Sequence, residues 1–400
     1  MKTTIVIFGI TGDLSRRKLL PALSHIVASP EGADVSILGV SRRDVDVAEL
    51  VTEAGGSPEL VARTHIHTMD LAEPTDYWVL KSRLNEDNPD QIVIYLSVPP
   101  GAAAQIVDQL GEAGINDSRV RILFEKPFGF DEASARDVIA RSSRYFADDQ
   151  LFRIDHYMAK EVAHEVIRLR RNAENHHHAW SNESIERIVV SATESIGVEG
   201  RATFYEQTGA LRDIIQGHLM QLLSLVLLRM PADYSDEQLP ELRLAALESI
   251  LPADPRLAAR AQYEGYDEEV ENLGSLTETF ASLQIQSIDT RWKDVPLQLV
   301  TGKALNEKRT AIEVFYKDGS IDTFEEGAVH YDGRRLDAYE RVLLEAVAGR
   351  RTIFTGSDEV IRSWEIVAPV QAHWEMDDTI TIYDKGADVE SVIEAANSHI

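Results

Sequence analysis

Three dense groupings of polar side chains interrupt otherwise apolar stretches of this chain, and each holds residue types that could do chemistry. Arg153-Ile-Asp155-His156-Tyr157-Met-Ala-Lys160-Glu161 brings a carboxylate, an imidazole, a phenol and an ammonium close together in sequence. If these residues open a helix, His156 and Lys160 stand four apart on one face, where with Tyr157 alongside they could hold a phosphate. A helix start with scattered surface charges has the same composition. Glu125-Lys126-Pro127-Phe128-Gly129 closes the apolar run Ile122–Phe124, at the carboxyl edge where doubly wound sheets take their ligands. The third grouping, Arg212-Asp213 with His218, lies in a long apolar stretch. On an ideal α-helix two residues five apart are separated by about 140°, so Asp213 is not expected to partner His218, and a His218 acting as a base needs its carboxylate from elsewhere. Surrounded by Leu211, Ile214, Ile215, Leu219, Leu222 and Leu223, the same histidine also suits a structural part.

The elements that must position these groups begin at Gly9-Ile-Thr11-Gly12-Asp13-Leu14, directly after the apolar run Ile5–Phe8. A strand that breaks at a glycine and reopens as a helix predicts a dinucleotide turn: Gly9 permits the reversal, and Gly12 lets the backbone approach a pyrophosphate met by free N–H groups and the helix dipole. Thr11 could add a hydroxyl. The spacing is Gly-x-x-Gly rather than Gly-x-Gly-x-x-Gly, and glycines after a strand also serve as plain turns. A second strand, Ser36–Val40, ends in Gly39-Val-Ser41-Arg42-Arg43. An acidic residue there would bond a ribose 2′-hydroxyl, whereas arginine accommodates a 2′-phosphate, so NADP is expected over NAD, with NAD as a weaker second cofactor. The alternative for Arg42 and Arg43 is a solvated surface charge.

Apolar strand candidates Ile5–Phe8, Ser36–Val40, Ile92–Val98 and Arg121–Phe124 alternate with helical stretches up to about residue 150, the pattern of a parallel sheet covered on both faces. Beyond it come a helix over Met158–Arg171, a strand over Glu186–Thr193, one long helix over Ala210–Arg229, and strand candidates Leu283–Ile288, Leu297–Val300 and Ala311–Tyr316. Strands in succession favour a largely antiparallel sheet packed against helices. The fold class expected is therefore α/β plus α+β: a Rossmann-type domain over 1–150 and an α+β domain over 151–400.

Composition sets limits on partners. The 400 residues carry a formal net charge of −27, which disfavours nucleic acid and anionic membranes, and any site for an anionic substrate must gather its cations locally. There is no cysteine, which excludes disulfides, thiolate metal sites and a cysteine nucleophile and fits a reducing cytoplasm. The N-terminus turns glycine-rich too early for a signal peptide, and no run has the length to span a bilayer, so a soluble, unprocessed chain is expected. His176-His177-His178 are consecutive and lack a carboxylate at a supporting spacing, so a polar loop is expected there and no metal.

Taken in order, Gly9-x-x-Gly12-Asp13-Leu14, Tyr95-Leu-Ser-Val-Pro-Pro100, Glu125-Lys-Pro-Phe-Gly129, Arg153-Ile-Asp-His-Tyr157 with Lys160-Glu161, Glu199-Gly-Arg201, Arg212-Asp213 with His218, Gly302-Lys303 and Asp337-Ala-Tyr-Glu-Arg341 resemble glucose-6-phosphate dehydrogenases over most of the chain. The resemblance implies NADP-linked oxidation of glucose 6-phosphate at C1 to 6-phosphoglucono-1,5-lactone, the entry to the pentose phosphate route. By the same resemblance His218 is the base, Asp155 the carboxylate that orients it, and Lys126 the lysine that contacts both sugar and nicotinamide. His156, Tyr157 and Lys160 would bind the substrate phosphate, Glu194 and Asp213 the sugar hydroxyls, and Lys303 and Lys308 would line the substrate site from the sheet domain. The cofactor would lie against Gly9, Thr11, Gly12, Asp13, Leu14, Ser41 and Arg42, and Pro127 would follow a cis peptide.

The chain departs from that family at Met158-Ala159, where relatives read Leu-Gly, and at its C-terminus Ile382-Tyr-Asp-Lys-Gly-Ala-Asp, which lacks a Gly-Ser-Trp-Gly ending. Relatives are typically longer, and a stretch of the sheet domain between Tyr316 and Asp337 is missing here. That sheet forms the family's subunit interface, which implies a homodimer, and in some members it carries a second, structural NADP that is not expected here. Two further readings stand beside this one. A sugar oxidoreductase of the glucose–fructose oxidoreductase type would normally show Gly-x-Gly in its first turn and lack the Asp155-His-Tyr cluster. A non-catalytic NADP-binding regulator should have lost His218, Asp155 or Lys126. Right chemistry on another sugar phosphate is decided by fine placement of groups such as Glu194 and Asp213.

Overall fold

The computed structural model describes residues 1–172, 178–326 and 336–397. The chain forms two compact units. The first holds Met1–Gly129, Ala133–Ala159 and a later stretch ending at Ser357, and the second holds most of the chain beyond Lys160. A single boundary near residue 150 therefore does not describe them, because the chain returns to its first unit after building most of the second.

The first unit is built on a seven-stranded sheet. Its strands are β1 (Thr3–Phe8), β2 (Val35–Ser41), β3 (Thr64–Thr68), β4 (Gln91–Leu96), β5 (Val120–Phe124), β6 (Leu151–Ile154) and β13 (Phe354–Thr355), in the order β13-β6-β5-β4-β1-β2-β3. All neighbours run parallel except β13, which pairs antiparallel with β6. Every residue of β1 and β4 is buried, as strands covered on both faces require. On one face Val6, Phe8, Leu38, Ile94 and Ile122 pack with Tyr77, Leu80, Ile106 and Leu110 from the helices Pro74–Asp87 and Pro100–Glu112. The intervening Ile5, Ile7, Ile37, Val93 and Leu123 are buried on the opposite face. The returning helix Ala338–Ala348 is tied to the sheet at its C-terminal turn, where the Val347 carbonyl accepts from Gln91 at 3.0 Å and the Ala346 carbonyl from Arg121 at 3.1 Å.

The second unit carries a seven-stranded mixed sheet of β7 (Ile185–Thr193), β8 (Ala258–Tyr263), β9 (Phe280–Ile285), β10 (Leu297–Gly302), β11 (Arg309–Tyr316), β12 (Ile321–Glu325) and β14 (Thr381–Tyr383), ordered β12-β11-β7-β10-β9-β8-β14. Pairs β7·β10 and β8·β14 are parallel and the others antiparallel, so the expected largely antiparallel sheet is present. Strand β8, Ala-Ala-Arg-Ala-Gln-Tyr, has none of the β-branched residues that mark a strand in sequence. Its strand state comes from pairing on both sides.

The long helix expected over Ala210–Arg229 is present as a π-helix over Leu211–Leu219 that runs on into an α-helix over Met220–Leu227. Gly209 separates it from a preceding helix over Ala202–Ala210, with φ 63° and ψ 179°, a conformation essentially reserved for glycine. The helix expected from Met158 begins at Glu161, with Lys160 extended at its N-cap. Among the described residues no helix is long and apolar enough to cross a membrane.

Gly9 turns the chain at the end of β1 with φ +81°, and a Cβ there would lie 2.3 Å from the Ser97 carbonyl oxygen. Gly9→Ala is expected to destabilise the protein by about 1–3 kcal/mol through backbone strain and this clash, measured as a lowered urea midpoint with an unchanged slope.

Candidate active site

In the first unit a single row of paired residues sets the carboxyl edge of the sheet: Val40 pairs with Phe8, Phe8 with Leu96, Leu96 with Phe124, and Phe124 with Arg153. Gly9 and Ser97 follow this row directly. Ser15, the first π-helical residue after the glycine turn, donates to the Gly9 carbonyl at 2.9 Å and to Ser97 Oγ at 3.1 Å, stapling the turn to the next strand. Gly12 N–H donates back to the Gly9 carbonyl at 2.9 Å, and Arg16 Nε donates to the Thr11 carbonyl at 3.2 Å. The helix N-terminus and its turn are thus held rigid while Thr11 and Asp13 stay exposed, a form that fits a pyrophosphate. Arg42 is exposed two residues beyond Val40, on the strand beside the turn, and Ser41 Oγ accepts the Arg43 N–H at 3.3 Å. An exposed guanidinium at that strand end fits a 2′-phosphate.

Two strands further along the same edge stand Glu125 and Lys126, and a third brings Asp155. The Lys126–Pro127 peptide is cis, as the resemblance implied. The Tyr95 hydroxyl donates to Glu125 in a short hydrogen bond, and desolvation pushes the Glu125 carboxyl above its ordinary range, with the Asp155 charge adding to the rise. Asp155 is buried and accepts the Tyr157 N–H at 2.9 Å, which closes a turn after β6. His156 packs edge to face on Tyr157, ring centroids 4.9 Å apart. Residues Asp155–Ala159 form turns closed by i→i+3 bonds, Met158 N–H to the Asp155 carbonyl at 3.0 Å and Ala159 N–H to the His156 carbonyl at 3.2 Å, and the helix starts only at Glu161, so His156 and Lys160 do not share a helical face.

In the second unit another row organises the strand ends: Arg309 pairs with Thr193, Thr193 with Gly302, and Gly302 with Phe280. Glu194, Lys303 and Lys308 each stand one residue past that row. The Lys303 ammonium is buried and ion-paired with the part-exposed Glu194 carboxylate, and it lies over the Tyr205 ring at 5.1 Å from the centroid. Lys308 is exposed, and Lys160 Nζ donates to Thr310 Oγ1 at 3.4 Å on the adjoining strand. The π-helix packs on β7 and β10. It carries buried His218 and half-buried Asp213, and Gln216 anchors it by donating to Ser363 Oγ at 2.7 Å. Burial raises the Tyr205 phenol well above its ordinary range and the Asp213 charge raises it further.

The π-helix corrects the angular argument against Asp213 and His218. Its backbone bonds run i→i+5, so residues five apart sit one above the other instead of about 140° apart. Sequence reasoning also missed Tyr95 beneath Glu125, Tyr205 beneath Lys303, and Glu278, whose carboxylate accepts the Leu211 N–H at 2.9 Å. The one available signal was a charged residue, Glu278, at the mouth of an apolar strand. Of the consecutive histidines, His176 and His177 lie outside the described residues. His178 stacks on Tyr316 at 4.2 Å and lies 3.6 Å from Asp318.

A doubly wound unit with a rigid glycine turn, and a second unit whose mixed sheet carries a buried lysine and whose π-helix carries a buried histidine, define the class: a two-domain, nicotinamide-dependent oxidoreductase. Residues 6–165 match the NAD binding domain of glucose-6-phosphate dehydrogenase, and residues 167–336 and 326–396 match its C-terminal domain. The chain belongs to the glucose-6-phosphate dehydrogenase family. A glucose-6-phosphate 1-dehydrogenase of Gluconobacter oxydans is 32% identical over 446 aligned positions, covering 93% of this chain and 91% of that one. The corresponding protein of Mycolicibacterium smegmatis is 31% identical over 461 positions, covering 96% and 94%. Both alignments are longer than the 400 residues of this chain, so these relatives carry segments that it lacks. Among solved structures, a glucose-6-phosphate dehydrogenase in complex with glucose 6-phosphate superposes with a TM-score of 0.88 at 25% identity, covering 100% of this chain and 97% of that one. The enzyme of Mycobacterium avium gives 0.82 at 29%, covering 96% and 94%. A myo-inositol dehydrogenase of Corynebacterium glutamicum, at 12% identity and a TM-score of 0.57 over 93% of this chain and 96% of that one, shares the fold alone.

The raised Glu125 carboxyl has a definite consequence for stability. Its folded form holds a proton at pH values where the unfolded chain, with the ordinary value of 4.5, has released it. The cost is therefore absent below that value and grows as pH rises through the folded pKa. Glu125→Gln is expected to gain stability over wild type as pH is raised from 4 towards 7, read as the difference in urea midpoints. A constant difference across that range would refute the assignment.

Proposed function

We propose that this chain oxidises glucose 6-phosphate at C1 to 6-phosphoglucono-1,5-lactone with hydride transfer to NADP, the entry to the pentose phosphate route, and that it does so as a cytoplasmic homodimer assembled through its C-terminal sheet. The observation that carries this reading is the match of both domains, nearly end to end, to the family of a solved structure that holds glucose 6-phosphate. The first domain is the nucleotide-binding one and the second binds substrate and forms the subunit interface.

Gly9, Thr11, Gly12, Asp13 and Leu14 would cradle the pyrophosphate by backbone N–H groups and the helix dipole, while Ser41 and Arg42 take the 2′-phosphate. When bound, the nicotinamide supplies the hydride acceptor. An imidazole nitrogen of His218 takes the C1 hydroxyl proton as the C1–H bond gives up its hydride and the ring carbonyl forms. Asp155 orients the imidazole and favours its protonated form as the proton arrives. Lys126 holds sugar and nicotinamide in register. His156, Tyr157 and Lys160 bind the phosphate, Glu194 and Asp213 the hydroxyls, and Lys303 and Lys308 line the substrate site, Lys308 as an exposed positive charge in a chain of net charge −27. The buried ion pair of Lys303 with Glu194 supports this assignment, because it holds the carboxylate in one orientation at a strand end.

The test is absorbance of reduced nicotinamide after glucose 6-phosphate is added with NADP, and separately with NAD, beside other hexose phosphates and unphosphorylated glucose. Reduction with glucose 6-phosphate and NADP is expected, and silence with that pair would overturn the reading. In the same assay His218→Asn should lower kcat by about two or more orders of magnitude with a near-unchanged KM, as loss of a general base requires. Arg42→Ala should raise the KM for NADP about tenfold or more through loss of a charge-assisted phosphate contact, and leave NAD kinetics within about twofold. Equal losses with both nucleotides would remove Arg42 from 2′-phosphate recognition.

A further inference from the structure

The segment Thr277-Glu278-Thr279 enters β9 from the same strand-end row that carries Glu194 and Lys303, and it grips both elements proposed to meet the sugar phosphate. Its side towards the helix is a clamp. Glu278 is 6% exposed; one carboxylate oxygen accepts the N–H of Leu211, the first residue of the π-helix, at 2.9 Å, and its backbone carbonyl accepts the N–H of Ala210 at 2.9 Å. The carboxylate also fills the space beside Gly209, where a Cβ would lie 2.4 Å from Glu278 Oε1. Three consecutive residues at the break before the π-helix are thus defined against this one side chain and its carbonyl. The side towards the sheet is a second clamp. The Thr279 carbonyl accepts the Lys303 N–H at 3.0 Å, and the Tyr383 hydroxyl, which lies 3.0 Å from Thr279 Oγ1, donates to the Lys303 carbonyl at 2.6 Å.

A π-helix is the rare helical form, met frequently at functional sites. The N–H groups of its first turn have no partner within it, and those of Ala210 and Leu211 find theirs on Glu278. We propose that Glu278 is a positioning residue for the proposed reaction: by accepting the Leu211 N–H it sets the start of the π-helix, and so the placement of Asp213 and His218 relative to the Lys303 backbone held by the adjoining Thr279. The inference rests on the functional reading above, in which His218 is the base.

Reach and charge separate a positioning role from a general structural one. Glu278→Gln keeps the acceptor at full length and removes the charge, whereas Glu278→Asp keeps the charge and withdraws the acceptor by about 1.5 Å. Both are mild substitutions in a buried site. The expected order is that Gln retains kcat within about threefold and Asp lowers it about tenfold or more, with the KM for NADP within about twofold in both. A role resting on charge or on bulk stability predicts the reverse order, or a fall in melting temperature without a kcat change well below it. The imidazole resonance of His218, identified in histidine-labelled protein by its loss in His218→Asn, gives a readout that needs no turnover. It should shift in the Asp variant and stay with wild type in the Gln variant. Any other pattern of that resonance overturns the inference. Absence of wild-type activity on glucose 6-phosphate would overturn the functional reading instead, with the resonance still deciding the part played by Glu278.

Discussion

Two rows of paired backbone residues fix where the proposed site residues of this chain stand. In the first unit the row through Val40, Phe8, Leu96, Phe124 and Arg153 brings the ends of five of the seven strands to about one level. The glycine turn, Ser97, Glu125 with Lys126, and Asp155 all stand within two residues of it. In the second unit the row through Arg309, Thr193, Gly302 and Phe280 does the same for Lys308, Glu194, Lys303 and Thr279. Register in a sheet whose faces are buried is stiff, since a slip by one residue would turn every apolar side chain to the wrong face. Functional groups fixed to strand ends inherit that stiffness without spending stability of their own.

Net charge shapes how the cations are kept. A chain at −27 repels anions at long range, so positive charge must be concentrated where a phosphate is to be met. The buried Lys303 is neutralised by Glu194 and rests on the Tyr205 ring, an arrangement that holds an ammonium out of water at tolerable cost because both its charge and its face are answered. Lys308 and Arg42, in the second and first units respectively, are exposed.

The helix that bears His218 shows how local geometry overrides periodicity. The stretch from Leu211 to Leu228 is so apolar that a continuous α-helix is the natural expectation, yet its first half is π-helical, with Gly209 breaking the chain just before it and Glu278 holding its start. With i→i+5 bonding, the spacing of Asp213 and His218 changes meaning, from opposite sides to one side. The same lesson applies to Asp155–Lys160, where i→i+3 turns stand in place of the helix that the four-residue spacing suggested.

Much was legible from residues alone: the strand–glycine–helix entry, the run of buried parallel strands, the change of pattern near residue 150, and the motifs whose order along the chain marks the family. These are encoded locally, by apolar runs long enough to be strands and by glycines whose backbone no other residue adopts. What the linear order could not contain was pairing. Strand β8 is written in alanines and exists because β9 and β14 flank it, the helix Ala338–Ala348 rejoins a sheet laid down hundreds of residues earlier, and Glu278 meets Leu211 across 67 positions. Sequence determined which side chains were on hand for catalysis, because composition and local motif are properties of neighbours in the chain. Tertiary structure decided which of them share an edge, a helix face or a hydrogen bond, because those relations arise only when distant backbone groups must satisfy one another out of water.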